Sequence, residues 1–340
     1  PTVSSTDERT TLERIVPWSD HGQAFAFVLQ TWGSSPRPIG SLLAIGATGI
    51  FEGSVSGGCV ENAVIDEAAE VIKSGVPKRL SYGVSDESAW EVGLPCGGTI
   101  EILLLRTTGS EFSQVLLDAT PVTLVARTDT GEIGLCTESF WSGALPAHET
   151  LREISLQLLK SGESRLETIG QYEYFLRPFT RPWRLVVVGA AHIAQPLATM
   201  ASDAGFDVTI IDPRRGYATE ARFPAVNLVH EWPDTALPDL SLDARSAVIA
   251  LSHDPKIDDP ALTAALDSPA FYIGALGSQR NHKKRLERLV GGGYEAAELA
   301  RIRGPVGLNI GGNHPNEIAV SILAEIIAVK NGKPLGDTSN

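Results

Sequence analysis

The sequence predicts an α/β protein in two parts, a mixed α/β N-terminal domain followed by a doubly wound parallel sheet. Three observations lead there. At 340 residues the chain exceeds the usual size of one domain, so two cores are expected. The run RLVVVGAAHIAQPLATMASDAGFDVTIIDPR at 184–214 reads as strand, turn, helix, turn, strand, with an apolar run fit for a buried parallel strand, a bend at Gly189 and helical periodicity before VTIID. Three more apolar runs follow as strand candidates, SAVIALS at 246–252, AFYIGALG at 270–277 and PVGLNIGG at 305–312, each entering a polar loop and then a helix-like pattern. Such a series is Rossmann-like.

The expected boundaries are an N-terminal domain over 1–120, a connecting α/β segment over 121–182 and a nucleotide-binding domain over 183–340. In the first, AFAFVLQTW at 24–32 is a strand candidate, and SLLAIG (41–46) with GIFEGSV (49–55) reads as a hairpin. NAVIDEAAEVIKSG at 62–75 has helical spacing and stops at Gly75, and TIEILLLR at 99–106 is a strand. In the connecting segment PVTLVART (121–128) and YEYFLRPF (172–179) read as strands and TLREISLQLLKSG (150–162) as a helix, with Pro182 marking the passage onward.

Two motifs carry the chemistry of the N-terminal domain. SGGCVE at 56–61 and LPCGGTIE at 94–101 each set a cysteine against paired glycines, Gly57 and Gly58 before Cys59, Gly97 and Gly98 after Cys96. Glycines let the backbone take positive φ and lie close to a ligand. The plain alternative is two small buried hydrophobes, the commoner fate of free cysteine. Cys136, in GLCTE, lacks glycine pairs and is assigned to packing.

Ligands on open α/β sheets sit beyond the carboxyl ends of the strands, which singles out the loops of the second domain. Its phosphate loop departs from GxGxxG, since Ala191 stands at the second glycine and His192 follows. A helix N-terminus would still attract phosphate there; the alternative is a purely structural turn. Asp212, 23 residues beyond Gly189, occupies the ribose-binding position. In ALSHDPKIDDPAL (250–262), Asp258 and Asp259 are expected to cap a helix starting near Pro260, leaving His253 and Asp254 as functional candidates. In IGALGSQRNHKKR (273–285), Ser278, Arg280 and His282 could meet an anion beside Gly274 and Gly277, whereas Lys283 and Lys284 read as a solvated basic face; the loop of GLNIGGNHP (307–315) offers Asn309, Gly311, Asn313 and His314.

Composition narrows the partners. A formal charge of −13, with no basic run longer than RNHKKRLER, argues against nucleic acid. The longest apolar stretches are too short to span a bilayer, and PTVSSTDERTTLER is too polar for a signal peptide. Three cysteines, an odd number in a long chain, suit a reducing cytoplasm. A homo-oligomer is expected.

Six ordered blocks, GSVSGGCVE, SDESAWEVGLPCGGTIEILL, VVVGAAHIAQPLA, LSHDPKIDDPAL, FYIGALGSQRNHKKRLERL and GPVGLNIGG with EIAVSILAEIIA, resemble the xanthine dehydrogenase accessory family, XdhC/CoxI, from about residue 24 to 330. The resemblance implies an XdhC/CoxI-type N-terminal domain and binding of molybdenum cofactor, whose sulfuration by a cysteine desulfurase and insertion into a molybdenum hydroxylase apo-subunit the family assists. On it, Cys59 and Cys96 match the family's GGC and CGG cysteines and would face the metal, Glu61 being either an acid behind the thiol or a helix-start charge. Gly189, His192 and Asp212 would face the pterin phosphate and ribose. The chain reads GAAH where the family usually has GAGH, and GLNIGGNHP where it has GLDIGARTP. Two other readings stay open: an NAD(P)-dependent oxidoreductase with Asp212 on the ribose and His253 or His314 as acid/base, and a structural subunit that binds no ligand.

Overall fold

The computed structural model describes residues 5–33, 37–83, 98–107, 109–118, 120–224 and 226–333, and the chain divides into two compact units, 1–181 and 182–340. Cys96 and Gly97 lie outside the described residues.

In the first unit, helix α1 (Ser5–Ile15) and a short 3-10 turn (Val16–His21) precede β1 (Gln23–Trp32), β2 (Leu42–Gly46), β3 (Phe51–Gly53), α2 (Glu61–Ser74), β4 (Lys78–Tyr82) and β5 (Thr99–Thr107). The five strands form one antiparallel sheet in the order β3-β2-β1-β5-β4. Alternation along β1 decides the packing. Ala24, Ala26 and Val28 face α2 through Val64, Ala68 and Val71, whereas Phe25 and Phe27 face the opposite way. There they meet a second sheet.

That sheet follows α3 (Gly109–Asp118) and comprises β6 (Val122–Arg127), β7 (Ile133–Cys136), β8 (Trp141–Gly143), β9 (Arg165–Ile169) and β10 (Tyr172–Phe179), with α4 (Glu149–Ser161) between β8 and β9. Its order is β8-β7-β6-β10-β9, antiparallel throughout. Leu124, Phe175 and Phe179 pack on Phe25, Phe27, Leu103 and Leu105, and α4 covers the outer face through Leu151 and Leu158 on Val125 and Leu176. Large and small apolar side chains thus fill a sheet-on-sheet core, with a helix outside each sheet.

The second unit is Rossmann-like. Its elements are β11 (Trp183–Val188), α5 (Ala194–Asp203), β12 (Phe206–Ile211), β13 (Asn227–Val229), α6 (Pro233–Asp239), β14 (Ser246–Ala250), α7 (Pro255–Leu266), β15 (Tyr272–Ala275), α8 (Gln279–Gly291), α9 (Ala296–Leu299), β16 (Ile302–Arg303) and α10 (Pro315–Lys330). The six strands run parallel in the order β13-β12-β11-β14-β15-β16, so the order reverses between β11 and β14. The sheet is buried on both faces, by α5 and α10 on one side and α6, α7 and α8 on the other. This explains why β11 and β14 read as unbroken apolar runs. Among the described residues no helix is long and apolar enough to cross a membrane.

Two expectations fail here for local reasons. The last strand is Ile302–Arg303, and 305–312 is loop. Pro305 has no amide to give a ladder, and Gly307 and Gly311 take φ of +98° and +77°, incompatible with a strand. Helix α7 starts at Pro255, five residues before Pro260, with Asp254 as its cap. The stretch 250–262 holds two Asp-Pro pairs, and the first opens the helix while Pro260 lies inside it.

Candidate functional site

Between β3 and α2 the chain turns through Ser54–Val60, and Glu61, the first residue of α2, folds its carboxylate back beneath that turn. Oε1 accepts from the Ser54 hydroxyl at 2.7 Å and from the Val55 and Ser56 amides at 3.2 and 2.9 Å. Oε2 accepts from the Ser56 hydroxyl and from the Gly58 amide at 2.9 Å. The serines pass the organisation on: Ser56 Oγ accepts from the Cys59 and Val60 amides, and Ser54 Oγ from the Gly57 amide. Burial would raise the Glu61 pKa, but the hydrogen bonds from the Ser56 and Ser54 hydroxyls and the Ser56 amide bring it down to about 2. Glu61 is a charge at the start of a helix that shapes the loop from within.

What the loop displays is Cys59. Gly57 and Gly58 are exposed at φ of +75° and +110°, and a methyl built on Gly58 would touch nothing within 4 Å. The glycine is therefore required by backbone conformation, and it leaves the approach open. Cys59 is half-buried beside the apolar layer under α2, immediately before the helix. Gly98 is buried at the entry to β5. Cys136 is fully buried in β7, its thiol pushed up by burial. Among the described residues no group of three or more His, Cys, Asp or Glu side chains is placed to hold a metal ion.

At the switch point of the second unit, the loops after β11 and β14 touch. Gly189 has φ +101°, and a methyl there would lie 2.6 Å from the Ser252 amide nitrogen. Gly189→Ala is expected to cost ~3 kcal/mol in urea denaturation, because backbone strain adds to a clash with main chain that has no rotamer to yield. Ala191 is half-buried and His192 exposed in the turn before α5. Asp212 is wholly buried and engaged: Oδ2 accepts from the Ala190 amide and Arg214 Nη2, both at 2.8 Å, and Oδ1 from the Arg214 amide and Nε, both at 2.9 Å. Burial opposes its charge, but these donors outweigh that and hold the carboxyl below its usual range. Arg214 also lies over the Tyr217 ring, 4.2 Å from its centre.

His253 takes φ +64° in the loop after β14, and Asp254 caps α7 by accepting from the Lys256 amide at 2.9 Å. Two groups that sequence reasoning missed hold this bend. Asp258 reaches back from α7 to the Ser252 amide and hydroxyl, at 3.1 and 2.6 Å, and faces Arg285 of α8 at 3.6 Å, both side chains being buried. The signal was the cap itself: once Asp254 starts the helix, Asp258 lies one turn on, over the same loop.

The remaining glycine-loop candidates gather at the other end of the sheet. Gly274 serves packing, since a methyl there would lie 2.6 Å from Val306. Ser278 caps α8, accepting from the Asn281 amide at 3.2 Å, and follows Gly277 at φ +136°. Gly277, Asn309 and Gly311 line one cavity of about 1010 Å3.

Comparison with known proteins places both units. Residues 18–83 match the model of the XdhC and CoxI family, and residues 185–326 that of the XdhC Rossmann domain. The chain is 30% identical over 329 residues to the molybdenum cofactor insertion chaperone PaoD of Escherichia coli, covering 95% of this chain and 89% of the relative. It is 29% identical to a Bacillus subtilis protein named as a probable xanthine dehydrogenase subunit, covering 90% and 92%. A crystal structure described as a xanthine dehydrogenase from Bacillus halodurans shares the fold with a TM-score of 0.77 at 24% identity, over 98% of each chain. With matches to both units and likeness along nearly its whole length, the chain belongs to the XdhC and CoxI family.

Proposed function

We propose that this protein is a molybdenum-cofactor-binding chaperone that carries the cofactor, as cargo, to the apo-subunit of a molybdenum hydroxylase and assists its sulfuration by a cysteine desulfurase. The observation that carries the reading is the Ser54–Val60 loop, in which a half-buried thiol is offered on an open, glycine-bounded bend that the Glu61 carboxylate holds in shape. A thiolate is a soft ligand suited to a sulfur-bearing metal centre, and a loop ordered before binding spends little entropy on capture. The similarity to a relative named for molybdenum cofactor insertion supports the choice of cargo. Cys96 is proposed as a second thiol at the metal end.

The oxidoreductase reading asks Asp212 to accept from a ribose hydroxyl. That carboxylate is buried and already takes four hydrogen bonds, so a ribose would have to displace Arg214. Geometry favours the chaperone.

The test is the ligand content of the full chain purified from a molybdate-fed host, by metal analysis and mass spectrometry of released small molecules. Molybdenum with a pterin is expected in the wild type, reduced at least tenfold in Cys59→Ser with the circular dichroism unchanged. A nicotinamide nucleotide without molybdenum, retained in the variant, would overturn the reading.

A further inference from the structure

The carboxyl edge of the parallel sheet offers two places for a ligand, and they differ in what is already taken. At the switch point the ribose-position carboxylate is paired, Ala191 adds a methyl where the phosphate loop usually has none, and Gly189 is pressed against Ser252. Two strands away, beyond β15 and β16, lies the cavity of about 1010 Å3. That is at the top of the usual range for small-molecule sites, roughly 300–1,000 Å3.

Resting on the chaperone reading, we propose that this cavity, not the switch-point crevice, holds the phosphate-bearing heterocycle of the cargo, a pterin nucleotide. The wall is positive within a chain of net charge −13: Lys283 and Arg303 line it. Its one carboxylate, Glu325, is buried and occupied, accepting from the Tyr272 hydroxyl at 2.5 Å and the Gly307 amide at 2.8 Å, with Arg303 at 3.6 Å. An anion entering therefore meets Lys283 and an Arg303 already shared with Glu325, and no unpartnered carboxylate among the described lining residues. The start of α8, a helix of 13 residues capped by Ser278, adds the positive end of its dipole on the same side.

The rest of the wall suits a heterocycle. Gln279, Asn309 and Asn313 each supply an amide that donates and accepts, the pattern needed at the mixed N–H and C=O edge of a pterin. His282 shares the wall, its Nδ1 buried without a partner among the described residues, and packs so closely on Gly304 that any side chain there would strike the ring. Gly311, at φ +77° with nothing within 4 Å of an added methyl, keeps the rim clear. Phosphate is thus assigned to Lys283, Arg303 and the α8 N-terminus, and the ring to the amides.

Titration calorimetry on the full chain tests the placement, with a molybdopterin dinucleotide, inorganic pyrophosphate and NADH as separate probes. Lys283 and Asn309 are exposed, so Lys283→Gln and Asn309→Leu leave the fold intact; His192→Ala probes the switch point. Lys283→Gln is expected to weaken both pyrophosphate and the dinucleotide at least tenfold, Asn309→Leu the dinucleotide alone, and His192→Ala neither by more than twofold. Dinucleotide binding untouched by the cavity variants would overturn the placement and leave the chaperone reading standing. A wild-type protein that binds NADH but no pterin would overturn both.

Discussion

Asp258→Ala is expected to lower the stability of the C-terminal unit by about 3–5 kcal/mol, because it strands a buried guanidinium. Arg285 is 5% exposed, and its partners among the described residues are the Leu276 carbonyl at 2.9 Å and Asp258, while Nε and Nη1 have none. Burial raises the Asp258 pKa and lowers that of Arg285, so each group resists its own charge and is kept by the other. Removing one leaves the full desolvation penalty on its partner. Removing both does not: Asp258→Leu with Arg285→Met is expected to recover to within about 1 kcal/mol of the wild type. Urea denaturation of the single and double variants decides it, and a single-variant loss below about 1 kcal/mol would show that the pair carries no such burden. The pH dependence has a definite sign. A carboxyl whose folded pKa is raised contributes stability below its unfolded value and loses it as pH rises through the folded value, so this site favours the fold at acid pH. The loss reaches the neighbouring loop as well, since Asp258 holds Ser252 and thereby the bend at His253.

The C-terminal sheet was legible because both its faces are covered, so β11, β12 and β14 appear as apolar runs closed by glycine or a polar loop. What escaped was side-chain destination. Asp212 stands where a ribose carboxylate belongs, but Arg214, two residues on, curls back to it, and no periodicity predicts that rotamer. Asp254 and Asp259 both precede proline, and local propensity cannot rank two such caps; the loop they must satisfy does. In the N-terminal unit, α1 escaped because STDERTTLERI is too polar to read as anything but surface, although Leu12 and Ile15 enter the core. The glycine-flanked cysteine was visible as a motif, while the buried carboxylate beneath it was legible only as one of two alternatives. Its five donors come from residues three to seven positions upstream, contacts set by the turn itself.

On the proposed reading, Glu61→Gln keeps the Cys59 thiol in the chain and is still expected to cost most of the bound molybdenum, because the ordered loop and not the thiol alone makes the proposed site. The amide keeps one acceptor and turns a donor toward the Ser56 hydroxyl and the Gly58 amide, which also donate. Losing charge-assisted bonds there costs about 2–3 kcal/mol, spent locally on disordering Ser56–Val60. The wild-type loop should be robust to acid. A carboxyl whose pKa falls from 4.5 to about 2 on folding contributes stability that is fully present above 4.5 and is lost as pH falls toward 2. The Val55, Ser56 and Gly58 amide resonances, whose protons the carboxylate accepts, should therefore titrate together near pH 2 in the wild type and stay flat in Glu61→Gln. If those amides instead titrate near 4.5, the carboxylate does not hold the loop. If they titrate near 2 while Glu61→Gln retains its molybdenum, the loop is ordered for a reason other than the cargo, and the proposed site does not depend on it.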